Sequence, residues 1–405
     1  MRDFALYWTA RTTSWLGDGV MVVALPWQVY ELTNSPTAMG LVGALQLGPI
    51  FLFTLFGGVA SDRFDRRKVI LFSEVARGLA AGVAGVLAVS GRLELWHIGA
   101  MVIVFGLGQA FGGPAFGSIV PQIVPDHLLV QANSALYTFH TLASRLVGPA
   151  LGGLLIAAFG TGVAFLVDAS SFVVGGVAIA LLAARPAARV LDEGDRPSVF
   201  ADIREAFGYV RQRSWLWGTL LWWLLVGAIG TAPYVVLIPF LVKNELGGSA
   251  GQLGLVFAAG GAGGVVTALA LSQVRIPRRH ITFMYALLAF GLTDLFFYSL
   301  TQAPWQAVAI AFVAEAALTA AVLVWNTLVQ RAVPGALLGR VRSLDAFAAF
   351  ALTPVMMAIM GPATDAFGVR AVLAVSGIAG MAITVLVFLL PGMRETEGRI
   401  SLSSG

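Results

Sequence analysis

The sequence contains no cysteine among its 405 residues and only two lysines, Lys68 and Lys243. The absence of cysteine excludes disulfide bonds, thiolate metal ligands and cysteine nucleophiles. No Gly-x-x-x-x-Gly-Lys-Ser/Thr segment occurs, which excludes a P-loop ATPase within this chain. Charged residues are also scarce, at 11% of the chain, whereas a soluble domain carries about 25%.

Apolar residues are present in excess. They make up 58% of the chain, and the mean hydropathy is +0.85. A soluble domain of this size cannot bury so much apolar surface, so the chain requires lipid as a second apolar solvent. About twenty helical residues cross a bilayer. We predict an all-α membrane protein with twelve transmembrane helices, near residues 4–30, 36–60, 69–90, 95–118, 131–158, 161–183, 215–242, 249–274, 281–301, 305–330, 343–363 and 368–390.

The two halves of the sequence repeat each other. Ile123–Ser134 (IVPDHLLVQANS) matches Ala332–Ser343 (AVPGALLGRVRS), and each segment follows the fourth predicted helix of its half. Ser35–Val42 (SPTAMGLV) likewise matches Ser249–Val256 (SAGQLGLV). A tandem repeat of six helices predicts two pseudo-symmetric six-helix bundles with the substrate between them. The predicted domains are the bundles 1–184 and 215–392, a cytoplasmic linker 185–214 and a cytoplasmic tail 393–405.

The predicted linker carries an amphipathic pattern. Its segment Ser198–Arg213 (SVFADIREAFGYVRQR) repeats apolar residues at helical spacing, opposite acids and arginines. This pattern predicts a helix that lies on the membrane surface. For Leu191–Pro197, a plain solvated linker is the alternative interpretation.

The basic residues indicate the orientation of the chain. When alternate loops are assigned to opposite sides, the loops on one side carry only Arg92, Lys243 and Arg370. The other loops and the termini carry 19 basic residues, and Arg11, Arg77 and Arg145 lie within predicted helices. Because cytoplasmic loops are rich in lysine and arginine, we predict a multi-pass membrane protein with both termini cytoplasmic. The net charge of +4 and the pI near 9.7 are explained by these loops, so no nucleic-acid partner is predicted.

The loop between the second and third helices reads GGVASDRFDRRKV from Gly57. It resembles the signature loop of the major facilitator superfamily, approximately G-x-x-x-D-R-x-G-R-R, with Asp65 in place of the usual glycine. The resemblance implies a gating role, in which Gly58 allows close helix packing and Asp62 caps a helix N-terminus or pairs with arginine. The matching residues are Gly58, Asp62, Arg63, Arg66 and Arg67.

The fifth helix carries RLVGPALGG from Arg145, which resembles the G-P-x-x-G-G motif of superfamily members that work as antiporters or exporters. Its glycines permit close helix contact, and its proline removes a backbone donor and kinks the helix. Gly17-Asp18 and Ala24-Leu25-Pro26 in the first helix, Ala-Asn-Ser at residues 132–134 and VDASSF at residues 167–172 resemble the macrolide-efflux and enterobactin-exporter branch. The resemblance runs from about Arg11 to Asp365 and implies a 12-span drug:proton antiporter of a bacterial plasma (inner) membrane. The fourth helix lacks the arginine that other drug exporters carry there. The motif residues are Gly148, Pro149, Gly152 and Gly153.

Few ionisable residues fall within the predicted helices. Each costs at least about 2.5–3.5 kcal/mol at mid-membrane, so it marks a transport pathway or a paired network. Asp18, between Gly17 and Gly19, is our first candidate for proton coupling, because alternating exposure to water lets a carboxyl group bind and release a proton. The alternative is a permanent structural pair of Asp18 with Arg11 or Arg145, the predicted intramembrane charge partners. The remaining coupling candidates are Glu315, Asp294 and Asp168.

Two further sets of residues complete the sequence-based expectations. Glu74 and Arg77, three residues apart in the third helix, are predicted to form a local ion pair. The four histidines have no second ligand at metal spacing, so neither a metal site nor a cofactor is predicted.

An amphipathic substrate requires apolar and aromatic walls with few polar groups. We predict a monomeric secondary active transporter that exports small amphipathic molecules, drugs or siderophore-like metabolites, by proton antiport with alternating access. The alternatives are uptake or flipping of a nutrient or lysolipid and a non-transporting membrane sensor; no catalytic cluster indicates an enzyme. The candidates for the cavity wall are Trp15, Trp27, Gln46, Tyr137, Trp222, Tyr234 and Asn326.

Overall fold

The computed structural model describes the backbone of residues 2–183 and 199–399. Within these ranges it describes all side chains except those of Asp62, Val130, residues 199–203 and Ala336. The described residues form helices joined by short turns, without a β-strand. The predicted linker segment Leu191–Pro197 and the tail after Arg399 lie outside the described residues.

The first half of the chain contains six predicted spans. The fifth span is interrupted by a π-helical segment, Leu142–Val147, and is preceded by a 3-10 turn, Asp126–Leu128. The helices are α1 (Arg2–Thr33), α2 (Pro36–Arg63), α3 (Arg66–Val89), α4 (Leu95–Ile123), α5 (Leu129–Thr141) and α6 (Gly148–Phe159), which together form the fifth span, and α7 (Thr161–Ala180).

The second half begins with a helix that matches the predicted amphipathic segment and continues with six spans. The seventh span contains two π-helical segments, Trp223–Gly227 and Leu241–Glu245. The helices are α8 (Val199–Arg211), α9 (Ser214–Trp222) and α10 (Ala228–Phe240) in the seventh span, α11 (Ala250–Leu271), α12 (His280–Leu300), α13 (Pro304–Ala332), α14 (Gly335–Phe350) and α15 (Thr353–Phe367) in the eleventh span, and α16 (Val369–Phe388).

Among the described residues, eleven spans are long and apolar enough to cross a membrane. The twelfth predicted span, α1, has 32 residues and exceeds the length that a hydrocarbon core of about 30 Å requires. Its apolar character is reduced by Asp3, Arg11, Asp18 and Glu31. Because α1 packs along α6 and α7, each of the twelve predicted spans corresponds to a helix of the structure.

Local sequence explains several helix ends. The Ser35 hydroxyl accepts the Ala38 N–H at the start of α2, as expected for an N-cap. Gly160 and Gly368 adopt φ angles of +81° and +80°, which glycine reaches without strain, and they end α6 and α15. The next helix begins one residue later in both cases. These two turns occupy the same place in each half, in agreement with the sequence repeat.

The described helices form two compact units. Unit 1 holds the described residues of Met1–Asp192 and Pro239–Ala258, and unit 2 holds those of Glu193–Ile238 and Ala259–Gly405. Each unit has its own apolar core, around Phe116 in unit 1 and around Trp325 in unit 2. Many large apolar side chains remain exposed on the helices. Exposed apolar surface on helices of this length is typical of contact with lipid.

Candidate functional site

Charged side chains of α1, α3 and α7 meet inside unit 1. These helices approach closely because glycines stand at their contacts. A Cβ added at Gly17 would overlap the Asp168 carboxylate, and a Cβ added at Gly175 would lie 2.5 Å from Glu74 Oε2. The glycines thus leave room for carboxylates rather than for apolar side chains. We call the following residues the charge cluster: Asp18, Glu74, Arg77 and Asp168.

Glu74 and Arg77 form the predicted ion pair within α3, which confirms the expectation from their spacing. Arg77 Nη2 donates to Glu74 Oε1 at 2.5 Å, and Ser14 Oγ of α1 donates to Glu74 Oε2 at 2.8 Å. The side chains of Glu74 and Arg77 are only 0% and 4% exposed. Both carboxylate oxygens of Glu74 are therefore hydrogen-bonded, which offsets the desolvation of its charge.

Asp18 faces the same arginine. Its Oδ1 lies 3.9 Å from Arg77 Nη1, and its side chain is 38% exposed. Within the described part of the chain, the ion-pair partner of Asp18 is thus Arg77, and the predicted pairing with Arg11 or Arg145 is wrong. The reason is that α1 and α3 both pack against α7, which brings Arg77 within reach of Asp18.

Asp168 is the least satisfied acid of the charge cluster. It is completely buried, and in the described ranges neither of its carboxylate oxygens has a hydrogen-bond partner. Its backbone carbonyl accepts a hydrogen bond from Ser171 Oγ at 2.7 Å. One turn further along α7, the Phe172 ring lies 4.5 Å from Cζ of Arg77. A buried carboxylate without partners carries a large desolvation cost if it is ionised.

Arg11 is held by aromatic rings rather than by an acid. Its Cζ lies 4.4 Å from the centre of the Trp15 ring and 4.2 Å from that of Phe116, which is the geometry of cation–π contacts. Its Nε is buried and has no hydrogen-bond partner among the described residues. The role of a direct charge partner, predicted for Arg11, is therefore corrected to an aromatic-bound cation.

Arg145 lies in the π-helical segment of the fifth span, and its side chain is exposed. This segment ends directly before Gly148 and Pro149. A proline cannot donate a hydrogen bond to the carbonyl four residues earlier, which here is that of Arg145. The predicted irregularity of the fifth helix therefore takes the form of a π-helical segment.

The other coupling candidates lie in unit 2. Asp294 Oδ1 of α12 accepts the Leu295 N–H at 2.5 Å, and Asp294 and Glu315 of α13 are close enough to interact electrostatically. A Cβ added at Gly260 of α11 would lie 3.7 Å from Glu315 Cβ and 3.4 Å from the Tyr234 hydroxyl oxygen. Glu315 and Tyr234 therefore face the same stretch of α11.

The two arginines at the start of α3 donate hydrogen bonds to backbone carbonyls of other helices. Arg66 donates from Nη1 to the Ser118 carbonyl of α4 at 2.9 Å and from Nε to the Ser61 carbonyl of α2 at 3.3 Å. Arg67 donates from Nη2 to the Ala180 carbonyl at the end of α7. Cations are favourable at helix C-termini, where the carbonyls carry partial negative charge. The first turn of α3 is thus hydrogen-bonded to three other helices, α2, α4 and α7.

Gly58 does not make the close helix contact that the resemblance implied. A Cβ added at Gly58 would meet no atom within 4 Å, whereas a Cβ added at Gly57 would overlap the Ala110 carbonyl of α4. Consecutive helical residues point about 100° apart, because a turn holds 3.6 residues. The contact between α2 and α4 therefore belongs to the preceding glycine.

Asp62 is the second residue of this loop with a predicted structural role, as a helix cap or as an arginine partner. It lies in the last turn of α2, and α3 is capped by Asp65, whose Oδ1 accepts the Arg67 N–H at 2.9 Å. The side chain of Asp62 is outside the described set, so its predicted pairing with arginine stays a prediction. The Arg63 side chain is exposed.

The glycines of the fifth-helix motif make the predicted close contacts. A Cβ added at Gly148 would lie 2.6 Å from Gly19 Cα, and one added at Gly152 would lie 2.8 Å from the Val20 carbonyl oxygen, both on α1. Glycine is required here because the helix backbones themselves are in contact. On the other face of α6, a Cβ added at Gly153 would lie 3.0 Å from Gly254 Cα of α11.

Three of the predicted cavity residues are core residues instead. Trp222 is 2% exposed, and its Nε1 donates to Thr384 Oγ1 at 2.7 Å. Trp27 Nε1 donates to Glu31 Oε1 at 2.8 Å, and Trp15 packs against Arg11 and His140; both tryptophans are buried. A buried indole needs a partner for its N–H; Trp222 finds one on α16, and Trp27 finds one on its own helix, α1. The prediction that these tryptophans line a cavity is therefore wrong.

The remaining cavity candidates lie in different surroundings. Tyr137 of α5 is exposed, and Gln46 of α2 is half-buried. Asn326 Oδ1 of α13 accepts a hydrogen bond from Arg342 Nη1 of α14 at 2.6 Å. Arg342 Nη1 also binds Asp345 Oδ2 at 3.1 Å, so Asn326 belongs to a polar network.

Arg77 and Ser14 belong to the site, although neither is among the residues predicted for it from the sequence. Arg77 was assigned a local role, although a buried arginine in an apolar helix can serve acids on neighbouring helices as well. The available signal was the occurrence of acids in the first, third and sixth spans. Spacing along the chain cannot state which of these spans are neighbours.

Comparisons with known proteins identify the family. A model of the transmembrane secretion effector family, a branch of the major facilitator superfamily, matches residues 1–404. The chain belongs to this family. Its relatives include the multidrug efflux pump Tap of Mycolicibacterium fortuitum, which is 28% identical over 96% of this chain and 95% of that protein. Macrolide efflux protein A of Streptococcus pyogenes is 23% identical over 54% of this chain and 53% of that protein.

Solved structures of the superfamily share the fold. The nucleoside transporter NupG matches with a TM-score of 0.73 and 11% identity, over 96% of this chain and 98% of that structure. A bacterial homologue of the iron transporter ferroportin, in an inward-facing state, matches with a TM-score of 0.69 and 18% identity, over 96% and 99%. Family and fold confirm the predicted resemblance to the superfamily and the all-α transporter architecture. The family member is therefore a multi-pass membrane transporter of small molecules, not an enzyme.

Proposed function

We propose that this transporter exports small amphipathic molecules, drugs or siderophore-like metabolites, by proton antiport across a bacterial plasma membrane. The observation that carries the proposal is Asp18, a partly exposed carboxylate in a membrane-spanning helix whose counter-ion is Arg77. An acid in this setting can bind a proton when it faces water on one side and release it on the other. The printed names of the relatives, a multidrug efflux pump and a macrolide efflux protein, favour export.

The architecture proposed for this function is the one that the sequence repeat predicts. Bundles 1–184 and 215–392 alternate in opening toward each face of the membrane, and both termini lie in the cytoplasm. The glycine contacts of Gly148 and Gly152 with α1 support close packing beside Asp18, since Gly19 and Val20 are the contacted residues. A movement of α6 is thereby transmitted directly to the helix that carries the proposed coupling acid. The transporter works as a monomer in this proposal.

The test measures proton-coupled export in everted membrane vesicles with an acidic lumen. Addition of ethidium, erythromycin or an iron-free siderophore to wild-type vesicles should release luminal protons, which a pH-sensitive dye reports. Asp18→Asn removes the exchangeable proton and should abolish this response. The matched control is Asp126→Asn, because Asp126 is an exposed acid in the turn between α4 and α5.

Two results would overturn the proposal. Export that persists after the pH gradient has been collapsed, or in Asp18→Asn vesicles with a gradient, would exclude proton coupling through Asp18. Accumulation of the compounds by right-side-out vesicles would instead indicate uptake. Glu315→Gln provides the comparison with unit 2, where Glu315 is the reserve coupling candidate.

A further inference from the structure

The charge cluster contains three acids, although the proposed proton exchange uses only one of them, Asp18. Asp18 on α1, Glu74 on α3 and Asp168 on α7 interact with one another and with Arg77, and Arg11 on α1 is a second cation within electrostatic range of Asp18 and Glu74. From α4, Gly108 contacts the aliphatic part of Arg77. With all three acids ionised, the two arginines leave one negative charge uncompensated. One bound proton makes this buried group neutral, which is strongly favoured in surroundings of low dielectric constant.

The hydrogen bonds indicate which acids compete for that proton. Glu74 receives Arg77 Nη2 on one oxygen and Ser14 Oγ on the other, so its charge is fully solvated by the protein. Asp18 is 38% exposed and lies 3.9 Å from Arg77 Nη1. Asp168 is completely buried, with no hydrogen-bond partner for either carboxylate oxygen among the described residues. Asp168 is therefore the acid for which ionisation in this conformation is least compensated.

The position of Arg77 permits a second arrangement. Its Nε is buried without a partner in the described ranges, and its Cζ lies 4.5 Å from the Phe172 ring of α7. Phe172 is four residues after Asp168, so both side chains project from the same face of that helix. A rotation of the guanidinium about its own stem would exchange the contact with Asp18 for one with Asp168, while the pair with Glu74 is kept.

We propose that Arg77 is a positioning residue that alternates between Asp18 and Asp168, and that these two acids share one proton. The proposal rests on the proton-coupled function above and deepens it. In the conformation of this structure, Arg77 neutralises Asp18 and Asp168 holds the proton. In the second arrangement the O–H bond at Asp168 breaks, an O–H bond forms at Asp18, and Arg77 neutralises Asp168. Asp18, the exposed acid, exchanges the proton with water, and Asp168 stores it.

Infrared difference spectroscopy of the purified protein tests this proposal without a transport substrate. The carbonyl band of a protonated carboxylic acid at neutral pH is compared between wild type and variants. Asp168→Asn should lose one such band. Asp18→Asn should also lose it, because the cluster is neutral without a proton once Asp18 is replaced, and Arg77 then neutralises Asp168. Arg77→Lys retains the positive charge and should retain the band.

The effect of Asp18→Asn is decisive. If Asp168 merely held a proton because it is buried, the band would persist in Asp18→Asn, and the shared-proton proposal would be overturned. Retention of the band in Asp168→Asn would overturn it as well. Asp126→Asn should leave the spectrum unchanged, and size-exclusion profiles establish that each variant is folded. The spectra and the vesicle assay can fail separately, because absence of export with the expected spectra rejects the transport proposal alone.

Discussion

The first, third and sixth spans of unit 1 and their counterparts in unit 2 are joined by different chemistry. In unit 1 the connection is the charge cluster, with its buried ion pair and its unpartnered acid. In unit 2 the seventh and ninth spans are joined by the hydroxyls of Thr219 and Tyr285, 3.0 Å apart. The seventh and twelfth spans are joined by Trp222 Nε1, which donates to Thr384 Oγ1 at 2.7 Å. All four of these groups are neutral.

The neutral contacts of unit 2 show that these three spans can pack without charged groups between them. A buried ion pair often contributes no more stability than well-packed neutral groups, because desolvation offsets the Coulomb attraction. Since unit 2 joins its corresponding spans through hydroxyl and indole groups, the acids of unit 1 need a reason other than packing. Proton exchange is the reason that we propose, and it makes unit 1 the coupling half of the transporter.

The largest expected effect is the loss of Arg77, and it tests the contrast between the two connections directly. Arg77→Gln leaves Glu74 buried with an uncompensated charge, so the free energy of unfolding should fall by about 3–5 kcal/mol. The matched change in unit 2 is Tyr285→Phe, which removes one neutral hydrogen bond and should cost about 0.5–1.5 kcal/mol. Both values can be measured by reversible unfolding in mixed micelles of a mild detergent and SDS.

Equal losses for the two variants would contradict this contrast. They would mean that the buried charges are compensated as completely as the neutral pair, for example by water. Arg77→Gln combined with Glu74→Gln provides the control, because removal of both charges should recover much of the lost stability. A double variant as unstable as Arg77→Gln would show that the loss comes from packing of the arginine stem against Gly108.

The spans and their order could be predicted from the sequence because lipid thickness imposes a single length on each apolar run. The turns at Gly160 and Gly368 and the amphipathic α8 also follow from local patterns, since each depends on neighbouring residues alone. The first span is predicted from the length of its apolar run. Its acids and arginines reduce the apolar signal that identifies the other eleven spans.

The partners within the site could not be predicted in the same way. The alternative role predicted for Asp18 is a pair with Arg11 or Arg145, but its ion-pair partner, Arg77, comes from α3. The choice depends on how each helix is rotated about its axis, and an error of one residue changes the direction of a side chain by about 100°. The same argument explains why Gly57, not Gly58, contacts α4. Only three-dimensional packing supplies these rotations.

Both units contain a close contact between a glycine and the backbone of another helix, and its disruption should have a smaller effect on stability. Because the contact occurs in both units, it limits the difference between them. Gly57 of α2 meets the Ala110 carbonyl of α4 in unit 1, and Gly263 of α11 meets the Phe312 carbonyl of α13 in unit 2. Gly57→Ala and Gly263→Ala each force a methyl group against backbone, so each should lower the free energy of unfolding by about 1–3 kcal/mol. The measurement is the same unfolding assay.

Gly58→Ala is the control for this prediction. A methyl group there meets no atom within 4 Å, and alanine favours a helix over glycine by up to about 1 kcal/mol. Its stability should therefore be unchanged or slightly raised. If only one of the two contact glycines proved sensitive, the units would differ in the packing of their second and fourth spans too, and the contrast would extend beyond the charge cluster.

The smallest expected effect concerns an exposed ion pair. It shows whether the strength of an ion pair in this protein depends on the distance between the charges or on their burial. Arg340 Nη1 and Glu205 Oε2 lie 2.5 Å apart in unit 2, the same separation as between Arg77 and Glu74, but Glu205 is 61% exposed. A double-mutant cycle with Glu205→Gln and Arg340→Gln should give a coupling of at most about 1 kcal/mol that weakens with added salt. The corresponding cycle for Glu74 and Arg77 should give about 2–3 kcal/mol and resist salt, because water and ions do not reach that pair. Equal couplings would mean that the N···O distance alone determines the strength of an ion pair in this protein. Burial could then no longer explain why the charge cluster is proposed to hold a proton.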